Sequence, residues 1–571
     1  MNEVVAVSNS YFRKAKLSLL VFVPTVFATV YLYPIANSGL SGDDIPNSMR
    51  SAALQANDWT RWEFIKLSIV QWKNSEGRFF PVSTIENVFM FDLIHSVAIF
   101  KFLQLLITIV LLVLAAAFIA KVVGSANLFP LALFLLLSCI QTRNWYDPTL
   151  GFGLLLQSVQ IKILACLYAL YYALQGRDNR WLWCLGGSIT LWLAALLQYE
   201  VVIMLFPTLV IMIILLPSNR LHKLVALAAV SLPTVIYVLY VIKLRAGITA
   251  TAAYYIQADL GLTALTYVKQ ISGAVPFSAV IWSRGGGSLL VTLSEVPLLH
   301  LFLLTATVCL AVTHRLKLAE LSSRRVLLVF IIGLNFVLGP NITTAISSRW
   351  QNEVAWGLSY LSVSFSYTGV ALIAFSFLFA ISRWTINRSV LSNAALCLFL
   401  AFFSLSAVSN HRLLDDNAKA TKFARDQRDL YELAVREGFL SHVPNGSVII
   451  YSSFDENSWV NDYFTSWLGG PKDIDFIKSA DNLQTKCDPN VLFERCTRAF
   501  RLDYVPTTTS SFIYSLGEID NGMNRSHLSA RYFANHLSSI DRQALCPSAI
   551  IESTKRGTMF SCSKSLNSTS N

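Results

Sequence analysis

Apolar runs of roughly membrane-crossing length recur through the first 410 residues, and no other feature limits the fold so strongly. They lie near residues 17–34, 93–120, 126–141, 150–174, 181–197, 201–216, 224–244, 296–313, 325–340, 360–381 and 389–408. A helix that crosses a bilayer uses about 20 mostly apolar residues. The pattern therefore predicts an all-α polytopic domain over residues 1–408, with about eleven spans. Composition agrees: 54% of residues are hydrophobic and 14% are charged, where soluble domains carry about 45–50% and about 25%. The first run is longer than the apolar core of a signal peptide, and no small-residue cleavage site follows it. It is expected to be a retained helix.

Charge divides the chain in two. After residue 410 there are 18 Lys and Arg against 19 Asp and Glu, and before it 27 against 15. The excess that gives the net charge of +11 thus sits in short loops between apolar runs. There it reads as a topology signal rather than as a nucleic-acid surface. Arg13, Lys14 and Lys16 precede the first run. Lys121, the pair Arg177 and Arg180, the pair Arg220 and Lys223, the cluster Arg315 to Arg325, and the pair Arg383 and Arg388 then mark every second loop. With the basic loops cytoplasmic, the loops 35–92 and 245–295 lie outside. An odd number of spans puts residues 409–571 outside too.

That C-terminal region is long enough for a domain of its own. "RDLYELAVREGFLSHVPNGSVIIYSSF" reads as a helix, a turn at Pro444-Asn445-Gly446 and a buried strand, which predicts an α/β domain over 409–571. Its cysteines, Cys487, Cys496, Cys546 and Cys562, allow two disulfides in three pairings. The other five, Cys139, Cys166, Cys184, Cys309 and Cys397, lie in apolar runs and read as small core residues.

A first loop of nearly sixty residues needs structure of its own. It opens on "SGDDIPNSMR", continues through "SAALQANDWTRWEFIKLSIVQW" and ends in "EGRFFP". Pro46 suits a first helical turn, with Asp44 near the cap. Trp62, Ile65, Ile69 and Trp72 form a stripe expected to lie along the membrane interface. Asp43 and Asp44 have two readings: carboxylates favoured at a helix N-terminus, or a general base and its support facing a reaction cavity.

Other polar residues stand out against the apolar background. Arg143, Trp145, Tyr146 and Asp147 share a short loop, where Asp-Pro signals a turn and the acid is a second candidate for a cavity. Glu200 sits at a tight turn between two runs. Gln157, Gln160 and Lys162 fall inside one run, and a mid-span Lys faces the bundle interior or a cavity, where it suits a lipid phosphate. Arg284 precedes three glycines in "WSRGGGSLL", either a plain flexible loop or an anion-approachable backbone. Arg349, between interfacial Trp350 and Trp356, is a belt residue or a phosphate ligand. His95 and His300 have no partner spacing. Zinc-type cysteine spacing and the soluble-enzyme nucleotide and hydrolase motifs are absent from the sequence.

The short basic N-terminus, one span, a large loop opening on an acidic pair, and "GRFFP" before the second span resemble the GT-C superfamily of membrane glycosyltransferases. Within it the chain looks most like bacterial enzymes that use polyprenyl-phosphate sugars, such as O-antigen glucosyltransferases. The resemblance covers roughly residues 1–410. It implies inverting transfer of a sugar from a polyprenyl-phosphate donor to a glycan or lipid-linked acceptor, on the outer side of a bacterial inner membrane. It also implies Asp43 as the base with Asp44 beside it, and Arg349, Arg284 and Lys162 on donor phosphate or lipid. Asp147, Glu200 and Arg78 are then secondary groups lining the substrate site. Adjacent carboxylates also suit a divalent cation, which enzymes of this type often do without. A lipid-linked saccharide transporter and a non-catalytic assembly protein are the rival classes. A transporter is expected to show matched internal repeats, and the sequence has none.

Overall fold

The structure is a computed structural model. It describes residues 18–143, 147–152, 154–176, 180–248, 256, 259–283, 321–384 and 389–436, and strand segments between 448 and 562. Among these, seven helices are long and apolar enough to cross a membrane, the make-up of a mostly helical polytopic membrane protein. They are α1 (Ser18–Asn37), α6 (Val97–Val123), α8 (Leu155–Gln175), α11 (Arg220–Arg245), α14 (Ser323–Ala345), α16 (Val363–Trp384) and α17 (Ser389–Arg436).

Among the described residues, seven of the eleven expected spans are helices of this length. The run near 126–141 folds as a 3₁₀ turn and the short helix α7 (Phe129–Cys139). The run near 201–216 folds as a 3₁₀ segment, Glu200–Leu205, and α10 (Phe206–Leu215). At about 1.5 Å rise per α-helical residue and about 2.0 Å per 3₁₀ residue, both stretches come out shorter than the ~30 Å hydrocarbon core. Between them α9 (Arg180–Leu196) has 17 residues. The expected span 296–313 lies outside the described residues. Hydropathy registers an apolar run whether it crosses a bilayer or is buried part-way among other helices.

The remaining helices are short. The first loop holds α2 (Asp44–Asn47), α3 (Arg50–Ala56), α4 (Arg61–Glu76) and α5 (Pro81–Leu93), and later loops hold α12 (Leu260–Ser272), α13 (Ser278–Ser283) and α15 (Ser348–Glu353). The last helix does not stop at residue 408 as expected, but runs on as one element to Arg436. "LDDNAKATKFARDQRDLYELAVR" contains no proline or glycine to end it.

Strands β1 (Val448–Ile450), β2 (Asp475–Ile477), β3 (Ala499–Thr508), β4 (Ser511–Ile519) and β5 (His527–Phe533) form one sheet in the order β2-β1-β3-β4-β5. β1 is parallel to β2 and β3, and β3, β4 and β5 are antiparallel. β6 (Ala549–Thr554) and β7 (Gly557–Cys562) form a hairpin. Cys487, Cys496 and Cys546 lie outside the described residues, and Cys562 is described only as backbone of β7. The expected disulfides therefore fall outside the description.

Two compact units make up the chain. One comprises residues 1–42, 65–87 and 96–420, and the other residues 43–64, 88–95 and 421–571. The first has a continuous apolar core that includes Leu105, Leu112, Leu133, Leu167, Phe336 and Phe375. α11 turns Leu232, Ile236, Leu239 and Ile242 outward, as a helix facing hydrocarbon does.

α14 and α16 make the tightest helix pair. A Cβ built on Gly369 would lie 2.6 Å from the Gly333 carbonyl oxygen, and one on Gly333 would lie 2.8 Å from that of Gly369. Small residues at such a crossing let backbones touch. Around it Asn341 donates to Ser366 Oγ at 2.8 Å, and Thr344 and Ser362 share a hydrogen bond of 2.7 Å. Gly369→Leu is expected to lower stability by about 1–3 kcal/mol or more, the usual range for overpacking. Thermal unfolding of the detergent-solubilised protein checks it; an unchanged midpoint would show that the helices separate at no cost.

Candidate functional site

The stretch "EGRFFP" builds the first half of the site. It leaves α4 through Gly77, which has φ +60°, and a Cβ there would meet the Ile248 side chain at 2.7 Å. The backbone N–H of Arg78 donates to Trp72 O at 3.2 Å, and the Tyr237 hydroxyl donates to Phe79 O at 3.0 Å. Pro81 then starts α5, a position where a missing N–H costs nothing. So held, the Arg78 guanidinium lies over the rings of Trp72 and Phe80, 5.6 Å and 4.9 Å from their centroids.

Arg78 Nε donates to Glu200 Oε1 at 2.8 Å, and Arg245, in the last turn of α11, donates to the same oxygen at 3.1 Å. The Arg78 and Glu200 side chains are 13% and 12% exposed. Two guanidinium groups thus share one carboxylate in a mostly buried setting. Guanidinium forks of this kind suit an anion with oxygens in a plane or a fork.

Two residues before Glu200 the same turn enters a second cluster. Lys162 Nζ donates to Glu86 Oε1 at 2.6 Å, Ser158 Oγ at 2.6 Å and Gln198 Oε1 at 2.7 Å. Those bonds use all three ammonium hydrogens. Glu86 Oε2 accepts from Gln198 at 2.8 Å and from Ser158 at 2.9 Å. The Val82 N–H donates to Leu197 O at 3.0 Å, so α5 and the turn after α9 are joined at the backbone as well. Lys162 faces the bundle interior, as expected of a mid-span cation. Its partner is a carboxylate that the sequence reading missed, and Ser158, Gln198 and Arg245 were missed with it. One signal was present: Glu86 is an isolated acid in the apolar "TIENVFMF", as costly to bury alone as Lys162.

Asp147 and Arg143 form a separate arrangement. Asp147 Oδ2 accepts the Arg143 N–H at 2.6 Å, and Oδ1 accepts those of Thr149 and Leu150 at 2.7 Å and 2.6 Å. Burial pushes this carboxyl above its ordinary range, while the three N–H groups and the Arg143 guanidinium pull it back. Arg143 reaches out to Leu358 O, Gly273 O and the Tyr367 hydroxyl. Lys101, fully buried, donates to Gln104 Oε1 at 2.9 Å and Leu150 O at 2.8 Å. Both carboxylate oxygens of Asp147 are thus engaged with backbone N–H groups, the pattern of an anchor rather than of a group waiting for substrate.

In the other unit, Asp43 takes the N-cap position of α2 but makes no side-chain capping bond. It is exposed, whereas Asp44 is 1% exposed. The pair thus stands at a helix N-terminus, as the first reading had it, with Asp43 at the N-cap and Asp44 in the first turn, but without a side-chain capping bond from Asp43. Nearby, Arg50 is buried with its guanidinium 5.3 Å from the centre of the Phe64 ring, and burial lowers its pKa to about 10. Ser51 and Arg61 both donate to Asp92.

Arg349 lies in α15. It pairs with Glu353 one turn on at 3.1 Å and lies over Trp350, 4.7 Å from its centroid. Arg284 and His300 lie outside the described residues. Among those residues, no group of three metal-ligating side chains comes together. Compared with known proteins, the chain matches no family model, no curated protein and no solved structure.

Proposed function

We propose that this protein is a membrane glycosyltransferase of the GT-C kind, moving a sugar from a polyprenyl-phosphate donor to a glycan or lipid-linked acceptor. The observation that carries the reading is the cluster in which Arg78 and Arg245 both pair with the carboxylate of Glu200. It stands beside the Lys162 network in a helical, membrane-type chain, and a lipid phosphate needs such a cationic seat next to an apolar surface. The acidic pair in "SGDDIPNSMR" and the "GRFFP" stretch add the GT-C-like layout. In the reaction the acceptor oxygen bonds to the sugar anomeric carbon as that carbon's bond to the phosphate oxygen breaks. The acceptor proton passes to Asp43, and the departing phosphate keeps the electron pair. Asp44 supports Asp43, and Arg284 and Arg349 contribute to donor binding.

The proposed setting is a bacterial inner membrane, with an α/β domain formed by residues 409–571 on the outer side and the N-terminus in the cytoplasm. Asn74→Cys and Asn445→Cys are expected to react with an impermeant thiol reagent added to intact cells, and Glu320→Cys only after permeabilisation. Labelling of position 445 only after permeabilisation would reverse the side assigned to the C-terminal region.

The activity is tested by incubating the purified chain, in lipid nanodiscs, with radiolabelled polyprenyl-phosphate hexoses and an extract of lipid-linked glycans. The expected result is label in the glycan with release of polyprenyl phosphate. Absence of both transfer and donor binding across the hexoses would overturn the reading. Movement of an unaltered lipid-linked saccharide across proteoliposomes would replace it with transport.

A further inference from the structure

A cavity of about 30 Å³ lies among α6, α7, α8 and α16. Thr108, Gln157, Gln160, Ser364, Tyr367 and Thr368 contribute to its wall. Two of these side chains present a buried polar atom with no hydrogen-bond partner among the described residues, Gln157 Oε1 and Ser364 Oγ. Gln157 is 4% exposed and Ser364 is 7% exposed.

The orientation of Gln157 is fixed by chemistry. Its Nε2 donates to Pro148 O at 3.2 Å and to Thr149 O at 3.4 Å. Flipping the amide would set an oxygen against two carbonyls, so Oε1 must be the atom left over. A buried acceptor with no donor is costly, and proteins meet that need with ordered water. Water requires about 10–15 Å³ and two to four polar partners, and this cavity has the room and two unspent groups. The wall contains no carboxylate, which leaves the charge of a dehydrated cation uncompensated.

We propose that the cavity is a hydration site for one ordered water, which donates to Gln157 Oε1 and shares a second hydrogen bond with Ser364 Oγ. The water ties α8 to α16 beneath the Pro148 and Thr149 carbonyls, next to the loop that Asp147 anchors. The inference is independent of the proposed transferase activity.

A cryo-electron microscopy structure of the full chain in nanodiscs, at a resolution that shows ordered solvent, tests it. One peak is expected at about 2.7–3.0 Å from both Gln157 Oε1 and Ser364 Oγ. Thermal unfolding in sodium, potassium and choline chloride at equal ionic strength is expected to give one midpoint. A cavity without density overturns the proposal, as does a Gln157 carbonyl bonded to another side chain. A sodium-specific rise in the midpoint overturns it in favour of a cation site.

Discussion

Asp43→Asn is expected to lower sugar transfer by about 10²–10⁴-fold, the usual worth of general-base assistance, and to leave the thermal unfolding midpoint unchanged. The two halves of this expectation have separate grounds. Asn cannot accept the acceptor hydroxyl's proton, so the rate falls. Asp43 is exposed, Asn keeps its size, and Asn ranks beside Asp at an N-cap, so the fold has little to lose. Asp44→Asn differs, because Asp44 is 1% exposed; its loss is expected to lower stability as well as rate. Initial rates with a polyprenyl-phosphate hexose, measured with unfolding curves on the same preparations, separate the two. An Asp43→Asn protein that turns over at the parent rate would remove Asp43 from the chemistry.

The largest loss of stability is expected at Asp147. Asp147→Ala strips the acceptors from the N–H groups of Arg143, Thr149 and Leu150 at once. Each buried N–H left without a partner costs about 1–3 kcal/mol, so the change is expected to cost about 3 kcal/mol or more. The loop it holds also offers Leu150 O to Lys101 and to Ser41. Arg143 extends the same loop to Gly273 and Leu358, so the damage spreads to α6, α12 and the approach to α16. Asp147→Asn keeps one oxygen for Thr149 and Leu150 but turns an amide N–H toward that of Arg143, and is expected to fall between Ala and the parent. Tryptophan fluorescence during thermal unfolding in detergent gives the order. Equal midpoints for Ala and Asn would mean that the two Oδ1 bonds contribute nothing.

The sequence by itself determined the helical, membrane-type character of the chain, because hydropathy is a local property that a run of side chains carries wherever it lies. It also marked Lys162 and Glu200 as charges set among apolar residues, where an ionised group requires a partner whatever the fold. The partners themselves came only from the tertiary structure. Glu86 meets Lys162 across 76 residues of chain, and Glu200 meets Arg78 across 122 and Arg245 across 45; no local pattern encodes such pairings. Tertiary structure likewise decided which apolar runs cross as long helices and which fold as short ones, such as α7 and α10. Hydropathy cannot separate lipid from a protein interior as the surroundings of an apolar side chain. Asp43 and Asp44 show the same division at the smallest scale. Adjacent in sequence and identical in chemistry, they differ in burial because the first turn of α2 sets one outward and the other inward, and only the packing around that turn distinguishes them.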